Sequence, residues 1–297
     1  MTSIPPPSGR HQNPPAPAPA ATRPPAPPGR PAWPPWLSLA GFGTGFGITI
    51  VVGAIIVGGA SAAGVSQKAP GLNIGLTLLQ NVALVGAAYG FAATLGRPAA
   101  VDFGLRRAAL WRSVGLLLAV WFGFFALSAA WAVALELEQQ QTLPEELGAD
   151  GPLLNVLAVV VLVTVIAPLG EELFFRGFFF GSLRNWHGPW LAALLTGLVF
   201  GAIHAGSSPV GYLVPLALFG IGLCMLYEWT GSLYPSIALH ALNNSIALGA
   251  NLDWSWQVPA MMVGSTAGAL ACAWLLARAI GERRRSAEPD AAAPGSA

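Results

Sequence analysis

Long apolar runs dominate this chain and restrict what it can fold into. A transmembrane helix needs about 20 consecutive, mostly apolar residues. Eight such runs follow the first 36 residues, at about 37–60, 72–95, 113–135, 153–176, 189–206, 210–228, 232–250 and 258–280. Only 9% of the 297 residues are charged, whereas a soluble domain carries about 25%. We therefore predict an all-α, polytopic membrane protein, a helical bundle of about eight transmembrane helices.

Composition divides the chain into three parts. Residues 1–36 contain 14 of the 26 prolines, and proline removes a backbone donor and breaks helices. This segment is predicted to be a disordered, polyproline-like cytoplasmic tail. Residues 37–281 are predicted to form the transmembrane helical domain, and residues 282–297 a disordered basic and polar tail.

Charged residues outside the apolar runs predict the orientation in the membrane. Basic residues lie before the first run, between the second and third, and after the last: Arg10, Arg23, Arg30, Arg97, Arg106, Arg107, Arg112, Arg283, Arg284 and Arg285. The link between the third and fourth runs is acidic: Glu136, Glu138, Glu145, Glu146 and Asp150. Because Lys and Arg are enriched in cytoplasmic loops, we predict a multi-pass protein of the cell membrane with both termini in the cytoplasm.

Net charge and cysteine content exclude several functions. A formal net charge of +1 does not provide the basic surface that nucleic-acid binding requires, so the expected surroundings are the lipid bilayer and not a nucleic acid. Cys224 and Cys272 both lie in apolar runs. Two such thiols provide neither a disulfide framework nor a zinc–thiolate site. The sequence does not indicate an oligomeric state.

The first unusual polar cluster lies at the end of the fourth run. A charge inside a membrane is unfavourable by about 2.5–3.5 kcal/mol on insertion scales, so Glu171, Glu172 and Arg176 point to function. On a helix, Glu172 and Arg176 stand at i and i+4, share a face and can pair. Glu171 lies about 100° round the helix. We predict that Glu172 and Arg176 are structural and that Glu171 is free to act as a general base. The alternative is an ion-pair triad that only fixes helix packing.

The second cluster is His204 in the fifth run, four residues after Phe200. If the hairpin between the fourth and fifth runs is centred near His187, Glu171 lies 16 residues before it and His204 17 residues after it. Antiparallel helices of equal length place both residues about 25 Å from the turn. We therefore expect Glu171 and His204 to meet. A hydrogen bond from His204 to a neighbouring helix is the alternative.

The third cluster is His240 and Asn244 in the seventh run. These residues stand at i and i+4 and therefore project from one face of a helix. Both are polar donors suited to holding an oxyanion or orienting a carbonyl group. Hydrogen bonding between helices, about 0.6 kcal/mol per contact in membranes, is the alternative.

Together the clusters supply a carboxylate base, a neighbouring histidine and a His/Asn pair. Such a set can activate a water molecule and stabilise a tetrahedral intermediate. The chain contains neither G-x-S-x-G nor H-E-x-x-H, the motifs of serine hydrolases and soluble zincins. Glu171, His204 and His240 could also offer a carboxylate and two imidazoles to zinc. No cofactor is favoured, and a divalent metal such as zinc stays open.

The three clusters resemble the CPBP family of intramembrane proteases, which includes the type II CAAX prenyl endopeptidases and the bacteriocin-processing and self-immunity group. The family pattern is EExxxR, FxxxH and HxxxN, in that order, on separate membrane helices. In this chain it reads Glu171-Glu172-xxx-Arg176, Phe200-xxx-His204 and His240-xxx-Asn244. The resemblance covers about residues 153–250.

The resemblance implies an intramembrane endopeptidase with its catalytic core at about 153–250. Glu171 and His204 would activate the attacking water, and His240 and Asn244 would form the oxyanion hole. The supporting residues would be Glu172, Arg176 and Phe200. Although the family is often described as metalloproteases, glutamate-dependent chemistry without a metal is favoured here, because the Glu/His pair supplies the polar atoms that it needs.

Substrate and two other functions remain open at this stage. Eukaryotic relatives remove the last three residues of prenylated CAAX proteins, whereas bacterial relatives are linked to bacteriocin maturation and self-immunity. The composition favours a bacterial chain, for which we expect a membrane-associated protein or peptide as substrate. The alternatives are a non-catalytic, peptide-binding immunity or scaffold protein of the same fold, and a transporter in which Glu171, Glu172 and His204 relay protons.

Overall fold

The structure, a computed structural model, describes residues 31–137, 147–149 and 151–287. Most of the predicted N-terminal tail and the last ten residues lie outside these ranges, so their predicted disorder is not addressed. Four of the acidic residues of the link after the third run also lie outside them: Glu138, Glu145, Glu146 and Asp150.

Helices make up almost all of the described ranges, which contain no β-strand. The helices are α1 (Trp36–Ala62), α2 (Pro70–Ala93), α3 (Leu110–Ala134), α4 (Leu153–His187), α5 (Pro189–Ala202), α6 (Leu213–Thr230), α7 (Tyr234–Asn251) and α8 (Gln257–Ala287). Short 3₁₀ turns precede α3 and α6, at Ala100–Phe103 and Val210–Tyr212. The eight helices follow the eight apolar runs in order, so the predicted all-α, polytopic fold is confirmed.

Six of these helices are long and apolar enough to cross a membrane, namely α1, α2, α3, α4, α6 together with its preceding turn, and α8. Helix α5 is apolar but has only 14 residues. Helix α7 has 18 residues and carries His240, Asn243 and Asn244 near its middle. Two of the eight predicted spans therefore correspond to helices that lack the length or the apolarity of a full span.

Helix α4 is longer than the apolar run that predicts it and is not a regular α-helix. It contains two π-helical stretches, Leu162–Ile166 and Glu172–Phe180, separated by the α-helical turn Ala167–Glu171. Pro168 in that turn has no N–H group to donate to the preceding turn. The helix continues to His187, and Gly188 (φ 82°, ψ 176°) forms the turn into α5. The π-helix is rare, appears mostly as single-turn bulges, and is frequent at functional sites.

The aromatic residues of α4 form the centre of the core. Phe174, Phe175, Phe178 and Phe180 are fully buried. Trp33 lies against this cluster, with its ring centroid 5.5 Å from that of Phe178. The residues just before α1 are also fastened to α4, because the amide of Asn185 donates to the carbonyl oxygens of Pro31 and Trp33 at 3.0 and 3.2 Å. The last part of the predicted N-terminal tail is therefore packed against the helical domain.

The link before α3 contacts the turn between α6 and α7. The backbone N–H of Leu233 donates to the carbonyl of Gly104 at 2.8 Å. The Nε of Arg106 donates to the carbonyl of Gly231, and the hydroxyl of Ser232 donates to the carbonyl of Arg106. These bonds fix the start of α7, the helix that carries His240 and Asn244.

Helices α5 and α6 approach each other through glycine. A Cβ atom at Gly197 would lie 2.6 Å from the carbonyl oxygen of Ala217, and one at Gly201 would lie 2.5 Å from that of Leu213. Gly197 and Gly201 form a G-x-x-x-G motif, which permits close helix packing in membranes. This packing positions Phe200, which lies between the two glycines and is buried.

Replacement of Gly197 by alanine is expected to lower the free energy of unfolding by about 1–3 kcal/mol, because the added methyl group would meet backbone atoms of α6. Gly75→Ala in α2 is a matched control, since a Cβ atom there has open space around it; it should be neutral or stabilising by about 0.5–1 kcal/mol. Equilibrium unfolding in detergent measures the free energy of unfolding of both variants. Equal stabilities for the two variants would contradict close packing at Gly197.

Candidate active site

Glu172 is the centre of the polar cluster. Its carboxylate oxygen Oε1 accepts a bond from Nη1 of Arg176 at 2.7 Å and another from Nδ1 of His240 at 2.8 Å. The side chains of Glu172 and Arg176 are fully buried, and that of His240 is 3% exposed. The Glu172–Arg176 contact has the i, i+4 spacing noted in the sequence. Because the acceptor is a carboxylate, Nδ1 of His240 carries a proton.

Arg176 is held by three kinds of contact. Besides its ion pair, its Nη2 donates to the carbonyl of Gly220 in α6 at 3.2 Å. Its guanidinium carbon lies 4.4 Å from the centroid of the Phe200 ring, a cation–π distance. A buried charge is stable only when it is paired and hydrogen-bonded; these contacts pair the guanidinium and bond Nη1 and Nη2, while Nε has no partner among the described residues. They also connect α4 with α5 and α6.

Glu171 lies beside this network but does not share its hydrogen bonds. Its Oε2 is 3.8 Å from Nε2 of His240, and its side chain is 14% exposed. Within the described residues that oxygen is buried and has no hydrogen-bond donor. The two adjacent glutamates therefore differ: Oε1 of Glu172 accepts two hydrogen bonds in a fully buried site, although its Oε2 has no donor among the described residues, whereas Glu171 is partly exposed and lies outside these bonds.

His204 lies near the cluster by way of Phe200, without a hydrogen bond or ion pair to Glu171 among the described residues. Its Nδ1 contacts the carbonyl oxygen of Phe200 at 2.7 Å, and the two rings lie 4.9 Å apart. A carbonyl oxygen only accepts, so Nδ1 is the donor, and Nε2 of the neutral ring is an acceptor. The expected direct meeting with Glu171 assumed regular helices on both sides of the turn. Helix α5 instead ends at Ala202, and His204 lies in the following turn.

Asn244 occupies the same helix as His240 but makes a different contact. Its Nδ2 donates to the carbonyl oxygen of Val163 at 2.9 Å, inside the first π-helical stretch of α4. An amide nitrogen has two donor hydrogens, so one of them is left for another acceptor. The bond joins α7 to α4 at a second point, beyond the contact between His240 and Glu172.

Two of these contacts, between Glu172 and His240 and between Asn244 and the carbonyl of Val163, could not be predicted from a sequence pattern. The Glu172–His240 bond joins residues 68 positions apart, and the carbonyl of Val163 is a backbone group in an apolar run. Glu172 was assigned only a pairing role with Arg176, yet it also orients the imidazole of His240. Carboxylate–imidazole pairs of this kind fix the tautomer and the ring orientation of a histidine in many hydrolytic sites.

The side chains proposed as metal ligands do not form a compact set. Within the described residues, no group of three or more His, Cys, Asp and Glu side chains is arranged to hold a metal ion. Glu171 and His240 approach each other to 3.8 Å, while Nδ1 of His204 is committed to a backbone carbonyl. The donor types would suit zinc, but the geometry offers a carboxylate and one imidazole as neighbours.

Comparison with known proteins agrees with the position of this cluster. Residues 153–246 match the family model described as type II CAAX prenyl endopeptidase Rce1-like. This segment is an Rce1-like domain. It begins at α4 and ends within α7, and so contains all seven residues of the three motifs. No solved structure matches the chain significantly.

Three bacterial proteins are similar to parts of the chain. An "Uncharacterized 24.3 kDa protein" of Escherichia coli is 31% identical over 46% of this chain and 61% of its own length. The "UPF0177 protein YxdF" of Lactococcus lactis is 30% identical over 31% of this chain and 49% of its own length. The "Putative membrane peptidase YdiL" of Bacillus subtilis is 24% identical over 32% of this chain and 38% of its own length. The chain thus covers less than two thirds of each of these relatives.

Proposed function

We propose that this protein is an intramembrane endopeptidase that hydrolyses a peptide bond of a membrane-associated protein or peptide. The observation that carries the proposal is the pair formed by Glu171 and His240. A buried carboxylate oxygen without a donor faces an imidazole nitrogen at 3.8 Å, and the other side of that imidazole is held by Glu172. The match to the Rce1-like family model and the similarity to the Bacillus subtilis protein named as a membrane peptidase support the same reaction class.

In the proposed mechanism, Glu171 is the general base. It accepts a proton from a water molecule while Nε2 of His204 accepts the second hydrogen bond of that water. The water oxygen forms a bond to the carbonyl carbon of the substrate, and the π electrons move to the carbonyl oxygen. Collapse of this tetrahedral intermediate breaks the C–N bond, and the proton held by Glu171 passes to the leaving nitrogen. General base catalysis of this kind contributes about 10²–10⁴-fold.

The oxyanion is proposed to be stabilised from α7. With a proton on Nε2, His240 donates to the oxyanion, and the remaining N–H of Asn244 is a second donor. Before the reaction the carboxylates of Glu171 and Glu172 balance the charges of Arg176 and the imidazolium, and once Glu171 holds the proton the oxyanion takes the place of its negative charge. Buried charges are tolerated when they are paired with opposite charges. Preorganised donors in a dry site cost little reorganisation during the reaction.

The protein is further proposed to lie in the cell membrane with both termini in the cytoplasm. Six spans and eight spans are both even numbers, so either count places the two termini on one side. The arginines of the link before α3, including Arg97, Arg106 and Arg107, lie on that same side in both cases. Positive loops face the cytoplasm.

The test compares protein termini in cells that contain either the natural protein or its Glu171→Ala variant at equal membrane levels. New termini that depend on Glu171 are expected, and the sequences next to them would identify the substrate directly. If both forms are folded and abundant and yield the same termini, the protease proposal fails. A peptide that copurifies with both forms would then favour a non-catalytic binding protein.

Catalysis without a metal makes a separate prediction. Peptide hydrolysis by the purified protein should be unchanged after treatment with EDTA or 1,10-phenanthroline, because Glu171 and His204 activate the water directly in the proposed mechanism. Activity with and without chelator is measured, and a soluble zinc protease serves as the positive control for metal removal. Loss of activity that is restored by zinc would assign Glu171, His204 and His240 to the metal instead.

A further inference from the structure

A cavity between α3, α7 and α8 contains none of the residues of the proposed catalytic cluster. Its volume is about 370 Å³, within the range of about 300–1,000 Å³ typical of small-molecule sites. Apolar side chains form most of its wall, among them Leu117 of α3, Pro235 of α7 and Leu270 of α8. Four polar residues interrupt this wall: Arg107, Ser113, Ser232 and Tyr234.

Arg107 lies at one end of the cavity, in the link just before α3. It is exposed, and its guanidinium group has no hydrogen bond or ion pair within the described ranges. Its neighbour Arg106 differs, because it is bonded to the carbonyl of Gly231. Tyr234 is the first residue of α7. Trp111 lies near the start of α3 and is 82% exposed. Tyr and Trp concentrate at membrane–water interfaces, so Arg107 stands at headgroup level.

Ser113 provides an independent indication that the cavity holds a ligand. Its side chain is only 8% exposed, and its hydroxyl has no hydrogen-bond partner among the described residues. Several helix hydroxyls donate to the carbonyl four residues earlier, as those of Thr77 and Ser245 do. Three others share the lack of a partner within the described residues but do not line this cavity: Ser128, Thr196 and Thr266. A buried hydroxyl without a partner is unfavourable, and that of Ser113 lines the cavity. An acceptor oxygen bound in the cavity would satisfy it.

We propose that this cavity binds one anionic phospholipid. The phosphate pairs with Arg107, an ester oxygen accepts the hydroxyl of Ser113, and an acyl chain occupies the apolar part near Leu117 and Leu270. A free inorganic anion would leave that apolar wall uncovered, and a zwitterionic lipid would bring a headgroup cation that offsets the attraction of its phosphate to Arg107. The proposal is independent of the proposed protease activity, because none of these residues belongs to the catalytic cluster.

Native mass spectrometry of the delipidated full-length protein tests this site, with dioleoylphosphatidylglycerol and dioleoylphosphatidylcholine added in equal amounts. The natural protein is expected to retain the anionic lipid about fivefold more than the zwitterionic one, the preference that one basic side chain provides near a membrane surface. Arg107→Gln should abolish this preference. Arg112→Gln is the matched control, since Arg112 is also exposed near the start of α3 but does not line the cavity.

A larger side chain that fills the cavity should reduce the retention of the anionic and the zwitterionic lipid equally. Ser113→Phe is expected to lower the retention of both, and Leu117→Trp is a second filling variant in case the first does not fold. The proposal is overturned if Arg107→Gln and a filling variant retain lipid as the natural protein does, or if Arg112→Gln has the same effect as Arg107→Gln. Displacement of the bound lipid by inorganic phosphate alone would identify a simple anion site and would also overturn it.

Discussion

Replacing Glu171 by glutamine is expected to lower peptide hydrolysis by about 10²–10⁴-fold, the contribution of a general base. Glutamine has nearly the same shape but cannot accept a proton from water. The folded yield should be unchanged, because Oε2 of Glu171 accepts no hydrogen bond within the described residues. The initial rate of cleavage of the substrate identified from cellular termini, divided by the concentration of folded protein, measures the effect.

Glu228→Gln is the control for this experiment. It also removes a carboxylate from a membrane helix, but this carboxylate pairs with Arg184 at 3.1 Å and is not one of the proposed catalytic residues. The cleavage rate of the control should stay near that of the natural protein. A Glu171→Gln variant that folds and retains full activity would assign proton transfer to another residue.

Replacing Glu172 by glutamine is expected to destabilise the fold by about 3–5 kcal/mol, the cost of breaking a buried ion pair by removal of one partner. The change leaves Arg176 buried with no opposing charge and removes the carboxylate that holds His240. A large fall in the free energy of unfolding in detergent, and in the amount of folded protein in membranes, should follow. Activity would be lost as well, so stability is the decisive measurement.

A double replacement distinguishes the effect of an unpaired buried charge on stability from the effect of lost packing. Glu172→Leu combined with Arg176→Met removes both charges, keeps apolar volume and should be more stable than Glu172→Gln alone, because well-packed apolar residues can replace a buried pair. If Glu172→Gln is as stable as the natural protein, the pair does not support the fold. Glu172 would then act only on His240.

Local spacing in the sequence predicts part of this site. The i, i+4 rule places Glu172 against Arg176, and the contact is present at 2.7 Å. It also separates Glu171 from that pair, and Glu171 has no hydrogen bond to Arg176 among the described residues. The three motifs lie on or next to different helices, α4, α5 and α7, as the apolar runs predict. Each of these features depends on residues close together in the chain.

Contacts that depend on tertiary packing could not be predicted. A regular helix has 3.6 residues per turn, and the π-helical stretches of α4 change which side chains face α7. That change accompanies the pairing of Glu172 with His240 and of Asn244 with the carbonyl of Val163. Similarly, the depth of His204 cannot be obtained by counting residues from the turn, since α5 ends at Ala202.

Oxygen Oε1 of Glu172 accepts two hydrogen bonds and thereby links neighbouring helices. Oε1 of Glu172 in α4 accepts a hydrogen bond from His240 of α7. Arg176 donates both to that same oxygen and to the carbonyl of Gly220 in α6. Pulling α4 away from α7 would leave the imidazole of His240 without its carboxylate partner in an apolar interior, whereas Glu172 and Arg176, both on α4, would keep each other. We therefore expect α4, α6 and α7 to move as a unit, and under the proposed function a substrate peptide would reach Glu171 without separating them.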